Sequence, residues 1–136
     1  MTRQAHDFFG VHVPFLGWLD VKALAWQPGS VRLELTLRPE LLNSLGAAHG
    51  GVVCTLLDVA MAASARSDDT GSRAVTIDMS VQFMRPGTGI LTAEGRMLRQ
   101  TNSLAFCEAE LRDASGELLA KAHGTFKRLR TGGGDG

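Results

Sequence analysis

The sequence has little that points to metal, redox or disulfide chemistry. Its 136 residues include only two cysteines, Cys54 and Cys107. Both lie in apolar segments, without a Cys-x-x-Cys pair or the Cys/His spacing of a ligand set, so we expect two buried free thiols. No metal site is predicted, because structural metal sites need several such ligands at characteristic spacings.

The chain also lacks an excess of charge of either sign. Lysine plus arginine and aspartate plus glutamate each total 14, so the formal net charge is zero. Proteins that hold nucleic acid through its phosphates need a surplus of cations. A nucleic-acid partner is therefore not expected, although local basic spots remain open.

Long apolar runs are missing as well. No segment approaches the roughly 20 apolar residues that span a bilayer, and the first 18 residues lack the apolar core and cleavage site of a signal peptide. We expect a cytoplasmic protein without a membrane partner. The length fits one domain, predicted over residues 1–130, followed by a flexible tail at 131–136, TGGGDG.

What the chain does contain is one long helix pattern among six strand patterns. Two β-type stretches flank the turn residues QPGS at 27–30 and predict a hairpin, after a helical or irregular lead-in at 5–18. A helix rich in alanine and leucine follows from about His49 to Ala65. The last four strands are predicted in RAVTIDMSVQFMRP, GILTAEGRMLRQ, SLAFCEAELRD and ELLAKAHGTFKRL.

This order of elements predicts an α+β fold. Four consecutive strands without crossover helices indicate a largely antiparallel sheet. A helix that is apolar on most faces must be enclosed by other structure. We therefore expect a single long buried helix wrapped by a curved sheet of about six strands.

Asp58 is the one acid in this apolar helix. A buried carboxylate costs several kcal/mol unless it is paired or hydrogen-bonded, so Asp58 is either catalytic or bound to a polar group of the core. His49 lies nine residues earlier, about 13.5 Å along the axis and on the opposite side. If both residues are catalytic, a second copy of the chain must bring its Asp58 to this chain's His49, which predicts an active site at a dimer interface.

The segment His49-Gly50-Gly51 opens the helix. A helix start has unsatisfied N–H groups and a positive dipole end, and glycines let a ligand oxygen approach closely. These properties suit a developing oxyanion. The alternative is a glycine-rich loop that only turns the chain into the helix.

Asn43, His49-Gly50-Gly51 and Asp58 together fill the pattern Asn-x-x-Gly-x-x-His-Gly-Gly-x6-Asp in NSLGAAHGGVVCTLLD. This pattern resembles the signature of the hotdog-fold acyl-CoA thioesterases, in particular the phenylacetate-pathway (PaaI-type) and thioesterase superfamily member 2 branch. The segments VTIDMSVQFMRP and SGELLAKAHGTF are similar to the family's strand after the helix and to its last hairpin.

The resemblance implies a hydrolase that splits an acyl-CoA or aryl-acyl-CoA thioester into coenzyme A and a carboxylic acid. Asp58 would activate a water or attack the thioester, across the interface from Asn43 and His49 of the other subunit. The N–H of Gly51 or Gly50 would bind the thioester oxygen. Asn43 would hold the water or the acyl group, and His49 would orient the thioester or steady the departing sulfur.

Thr76 fills the position where related enzymes keep a small hydroxyl residue near the attacking water. In a regular strand Val75, Ile77 and Met79 define one face, and Thr76 and Asp78 define the other. Threonine is also a good strand former, so a purely structural role stays open.

Coenzyme A carries phosphates, so its groove should contain local cations and small polar donors. By resemblance the candidates are Arg85, Arg99, Asn102, Ser103 and Lys127, although basic residues at strand ends are often only solvated. The resemblance also implies a homodimer at minimum and favours a homotetramer built as a dimer of dimers. No separate cofactor is expected, since coenzyme A is part of the substrate.

Two alternative functions use the same fold. A non-catalytic acyl-CoA binding or regulatory module on the same fold stays open, but it would have no need for Asp58 at the thioester. A hydratase or dehydratase is disfavoured, because its site arranges His and Asp differently. The acyl group is not defined, since the aromatic residues of the lead-in could close an acyl pocket or only cover the sheet: Phe8, Phe9, Phe15 and Trp18.

Overall fold

The computed structural model of the chain describes residues 7–129. The predicted tail at 131–136 lies outside the described residues. In chain order the elements are β1 (Asp7–Phe8), β2 (Val11–His12), α1 (Pro14–Leu19), β3 (Lys22–Gln27), β4 (Ser30–Thr36), α2 (Gly50–Ala65), β5 (Arg73–Phe83), β6 (Ile90–Gln100), β7 (Leu104–Asp113) and β8 (Leu118–Leu129). A 3-10 helix at Pro39–Leu41 lies between β4 and α2.

Strands β3 to β8 form one antiparallel sheet in the order β3-β4-β6-β7-β8-β5. The predicted hairpin, helix and four later strands are all present, so the predicted α+β hotdog architecture is confirmed. Strand β5 follows the helix in sequence but lies at an edge of the sheet, paired with β8 alone among the described strands. The other side of β5 is therefore unpaired among the described strands.

Helix α2 packs on one face of the sheet. Leu56, Leu57 and Met61 are fully buried there, and each such side chain contributes about 2 kcal/mol through burial. The contact with β6 is especially close at Gly95, where an added Cβ would lie 2.3 Å from the Ala60 carbonyl oxygen. Glycine at this position therefore sets the distance between helix and sheet.

The opposite face of α2 is more open than the prediction of an enclosed helix implied. Gly51 is exposed, while Thr55, Asp58 and Ala62 are half-buried. At 100° per residue these four positions form one stripe along the helix. The sheet of one protomer therefore covers one side of α2 and leaves the side that carries Asp58 accessible.

The lead-in differs in part from its prediction. A short helix, α1, is present, but β1 and β2 before it form a small antiparallel hairpin that turns through Phe9 (φ 50°) and Gly10 (φ 83°). Two-residue strands leave no periodic signal in a sequence. None of the helices among residues 7–129 is long and apolar enough to cross a membrane.

Candidate active site at the start of helix α2

A tight loop anchored by Asn43 delivers the chain to α2. The Asn43 side-chain oxygen accepts hydrogen bonds from the N–H groups of Leu45 (2.9 Å) and Ala47 (3.1 Å). Gly46 completes the turn with φ 83°, a conformation that suits glycine. Because the oxygen is engaged by the loop, the Nδ2 amide is the part of Asn43 that could donate to a ligand.

His49 is the N-cap of α2. Its Nδ1 atom accepts a hydrogen bond of 2.8 Å from the Gly51 N–H, as side chains at this position commonly do. The sequence left the oxyanion donor open between Gly51 and Gly50. The Gly51 N–H is already bound by the imidazole, so of these two N–H groups the one of Gly50 could still donate to a ligand oxygen.

Two cavities flank this helix start. One, of about 290 Å³, is lined by Asn43, Gly50, Phe83 and Arg85 among others. The structure thus brings three predicted site residues to one cavity and adds Phe83, which sequence reasoning missed. The Phe83 ring would lie 3.8 Å from a Cβ at Gly50, a contact between β5 and α2 that no sequence pattern signals.

The second cavity, of about 320 Å³, lies on the His49 side of the helix start. Phe15 and Trp18 of α1 line it together with His49, Gly51 and Thr55. Arg38 donates to the backbone oxygens of α1 and stacks over the Trp18 ring at 4.8 Å, which fixes this wall.

The other two lead-in aromatics, Phe8 and Phe9, lie elsewhere. The Phe9 ring centroid is 5.2 Å from that of Trp26, and the rings of Phe8 and Phe9 contact each other edge to face. Only Phe15 and Trp18 of the predicted aromatic set therefore lie beside the helix start.

Asp58 has a partner in its own protomer. The Thr76 hydroxyl donates a hydrogen bond of 2.6 Å to the Asp58 carboxylate, a short charge-assisted geometry. His49 and Asp58 bind different groups, as their separation along α2 predicts.

The predicted face of Thr76 is wrong in one respect. A β-bulge between Thr76 and Asp78 shifts the register of β5 against β8, and an extra residue in one strand reverses the alternation of side chains. Thr76 therefore lies on the same face as Met79 and Val81, which pack against the core, and reaches α2. Without the bulge it would point away from Asp58.

The candidate coenzyme A residues divide between the two ends of the sheet. Arg99 lies near the end of β6, Asn102 and Ser103 lie in the turn to β7, and Lys127 pairs with Val75 near the start of β5. Arg85 follows the other end of β5 and forms an exposed ion pair with Glu117 at 3.6 Å. Eight residues of strand, about 26 Å, separate the two ends, so one protomer does not bring all five together.

Neither cysteine lines the two cavities at the helix start. Cys107 is buried, and burial raises the pKa of its thiol to about 11, whereas Cys54 is only half-buried, contrary to expectation. Among the side chains that the structure describes, those of residues 8–129, no group of three or more His, Cys, Asp or Glu could hold a metal ion.

Comparison with known proteins gives a consistent result. The model of the thioesterase superfamily matches residues 45–120. A presumed esterase of Saccharolobus solfataricus is 31% identical over 84% of this chain and 82% of its own length. Acyl-coenzyme A thioesterase 13 of Homo sapiens is 31% identical over 72% of each chain.

Solved structures agree at the level of the fold. A conserved protein of Pseudomonas aeruginosa superposes with a TM-score of 0.83 at 24% identity, covering 95% of this chain and 100% of that one. A Streptococcus mutans protein bound to acetyl CoA gives 0.75 at 25% identity, covering 82% and 91%.

Proposed function

The chain belongs to the thioesterase superfamily, and on that premise we propose that it is an acyl-CoA thioesterase with its active site at a dimer interface. The observation that carries the proposal is the Asp58 carboxylate, held by Thr76 on the open face of α2. The similarity to a human acyl-coenzyme A thioesterase and to a protein bound to acetyl CoA supports a coenzyme A ester as substrate.

Strand β5 supports the dimer. It is an eleven-residue edge strand, and its side chains include Val75 (49% exposed), Ile77 (56%) and Phe83 (57%). A long apolar edge is a template for pairing with another chain. A second copy related by a two-fold axis would pair its own β5 antiparallel to this one.

Such pairing joins the two halves of the site. Helix α2 and strand β5 run in opposite directions, because Phe83 lies beside Gly50 at one end and Thr76 binds Asp58 towards the other. A two-fold axis at Ser80 would pair Ser80 with its own copy and, because the bulge adds one residue to the strand, would place Thr76 opposite the partner subunit's Phe83. This axis is close to the midpoint of β5, and it brings Asp58 towards the partner subunit's Gly50.

The same axis bears on coenzyme A. It carries the partner subunit's Arg85 beyond Phe83, towards the end of β5 where Lys127 pairs with Val75. The five candidate residues, divided within one protomer, would then line one side of the dimer. A few arginine or lysine side chains with small polar donors are a usual phosphate site.

The chemistry follows from these groups. The thioester oxygen would bind the Gly50 N–H at the positive end of α2, which stabilises the developing negative charge. Asp58 of the other subunit would activate a water that attacks the carbonyl carbon, and the coenzyme A thiolate leaves. If Asp58 attacks the carbon directly, loss of the thiolate leaves a mixed anhydride on Asp58, which water then hydrolyses to release the acid. Because Nδ1 of His49 accepts a hydrogen bond, its proton resides on Nε2, which could donate to the thioester. No cofactor is needed.

A panel of acyl-CoA and aryl-acyl-CoA esters, assayed by thiol release, tests this function. Asp58→Asn should lower kcat about 10²-fold to 10⁴-fold on any ester that the wild type hydrolyses. Asp20→Asn is a matched control, since Asp20 ends α1 in a left-handed conformation that asparagine also tolerates. Equal turnover by Asp58→Asn and wild type would refute the role of Asp58. If the wild type binds an ester but hydrolyses none, the alternative of a non-catalytic acyl-CoA binding module is favoured.

Cross-linking tests the proposed axis. Ser80→Cys places a thiol next to the axis, so oxidation should give a disulfide-linked dimer. The wild type is the control, because it already contains Cys54 and Cys107. A cross-link that forms no faster than in wild type would contradict this pairing. Sedimentation of the wild type would show whether the dimers associate further into the tetramer that the family resemblance favours.

A further inference from the structure

A third cavity lies between α1, the end of α2 and the start of β5. Its volume is about 280 Å³, and its walls are largely apolar, with Leu16, Val59 and Ala62 among them. The polar side chains that line it are all of basic type: His12, Arg66 and Arg73. None of the described residues that line the cavity is acidic, although the chain as a whole is neutral.

Arg66 is the unusual member of this set. It is only 4% exposed, and no ion pair among the described side chains, those of residues 8–129, includes it. Its Nη1 atom is buried and lacks a hydrogen-bond partner in the same range. Burial and the neighbouring charge of Arg73 lower the pKa of this guanidinium. A buried cation without an anion costs several kcal/mol.

Part of this arrangement has a structural reason. Nη2 of Arg66 donates to the Phe9 carbonyl at 2.7 Å, and the guanidinium stacks over the Trp26 ring at 4.9 Å. A cation is also favourable at the C-terminal end of α2. These contacts hold the β1–β2 hairpin, but they do not explain Arg73, which lines the same cavity and adds repulsion.

We propose that this cavity binds a carboxylate on an apolar body, with Arg66 and Arg73 supplying the positive charge. The carboxylate has two sources: a free carboxylic acid, or the far end of an acyl chain whose thioester lies at Asp58. Asp58 and Arg66 are eight residues apart on α2, about 12 Å along its axis, and Ala62 between them lines the cavity. The second source rests on the proposed function, and the first does not.

Binding of hexanoate to the full chain tests the site, with hexanol as the uncharged match. Calorimetry should detect hexanoate and not hexanol. Arg73→Gln should raise the hexanoate Kd about tenfold, because it removes one of the two positive charges at the cavity. The variant should still fold, since Arg73 is exposed. Arg66→Lys keeps a cation but loses Nη1, and should weaken binding as well. Arg32→Gln, on the opposite side of the sheet and paired with Glu94, is the control.

Kinetics separates the two sources. With adipyl-CoA and hexanoyl-CoA as substrates, a fall in the ratio of their kcat/KM values in Arg73→Gln would assign the carboxylate to the acyl chain. An unchanged ratio, with weakened hexanoate binding, would assign it to a free acid. Equal binding of hexanoate and hexanol, or hexanoate binding that neither arginine variant weakens, overturns the proposal. The binding measurement stands even if no ester is hydrolysed.

Discussion

Replacing Gly95 with alanine should loosen the helix from the sheet. The added Cβ would lie 2.3 Å from the Ala60 carbonyl oxygen and 2.6 Å from its carbon. Both atoms belong to the helix backbone, so no side-chain rotation relieves the clash. To restore an ordinary contact of about 3.4 Å, α2 must retreat by about 1 Å from a close-packed interface.

We expect Gly95→Ala to lower the free energy of unfolding by about 3 kcal/mol, at the upper end of the usual range for overpacking. For a chain of this size that corresponds to a fall in Tm of about 10 °C. Because α2 carries both Asp58 and Gly50, activity should also fall, since a displacement of about 1 Å can reduce turnover 10²-fold.

Urea unfolding measures the free energy of unfolding, and thermal melts at one protein concentration measure Tm. Activity is measured by thiol release at a temperature well below Tm. Glu94→Ala is the control, since this neighbouring side chain is exposed and pairs weakly with Arg32 at 3.8 Å. If the free energy of unfolding of Gly95→Ala lies within 0.5 kcal/mol of the wild-type value, Gly95 does not set the distance between helix and sheet.

Three further predictions concern single side chains. Thr76→Val should lower kcat/KM about tenfold, because a charge-assisted hydrogen bond contributes about 1.5–3 kcal/mol, and Thr76→Ser should retain activity. An unaffected Thr76→Val variant would show that the bond to Asp58 is structural only. Arg112 and Lys121 lower the pKa of Glu110 below its ordinary 4.5, so its contribution to stability is complete above that pH and is lost as the pH falls. Urea unfolding should therefore find Glu110→Gln more destabilising at pH 7 than at pH 3, and equal effects would contradict this. Cys54→Ser leaves Cys107 as the single thiol, and burial raises the pKa of that thiol to about 11. Cys107 in this variant should therefore not react with a disulfide reagent at pH 8 until the protein is unfolded, and rapid reaction of the native variant would contradict its burial.

Much of the fold could be predicted from the sequence because its signals are local. The alternation of Val31, Leu33 and Leu35 with polar residues marks β4, and His49 with two glycines marks the start of α2. The β1–β2 hairpin could not be predicted, since its two-residue strands show no alternation. The bulge beside Thr76 was also missed, because it depends on pairing with β8 and not on the composition of β5.

The candidate site shows the same limit. The spacing of Asn43, His49 and Asp58 identifies the motif, and helix geometry already separates His49 from Asp58. The choice of Gly50 over Gly51 required the hydrogen bond from the Gly51 N–H to His49. The isolation of Arg66 could not be read from its sequence neighbours, because it depends on which distant residues surround it.

Subunit complementation tests the central claim most directly. Asp58→Asn and His49→Ala, each prepared as an inactive protein, are mixed in equal amounts, unfolded and refolded together. If each site takes Asp58 from one chain and His49 from the other, half of the dimers are mixed and each of these has one intact site, so about one quarter of wild-type activity returns. If both residues act within one chain, mixing restores no activity, and the interface mechanism is wrong.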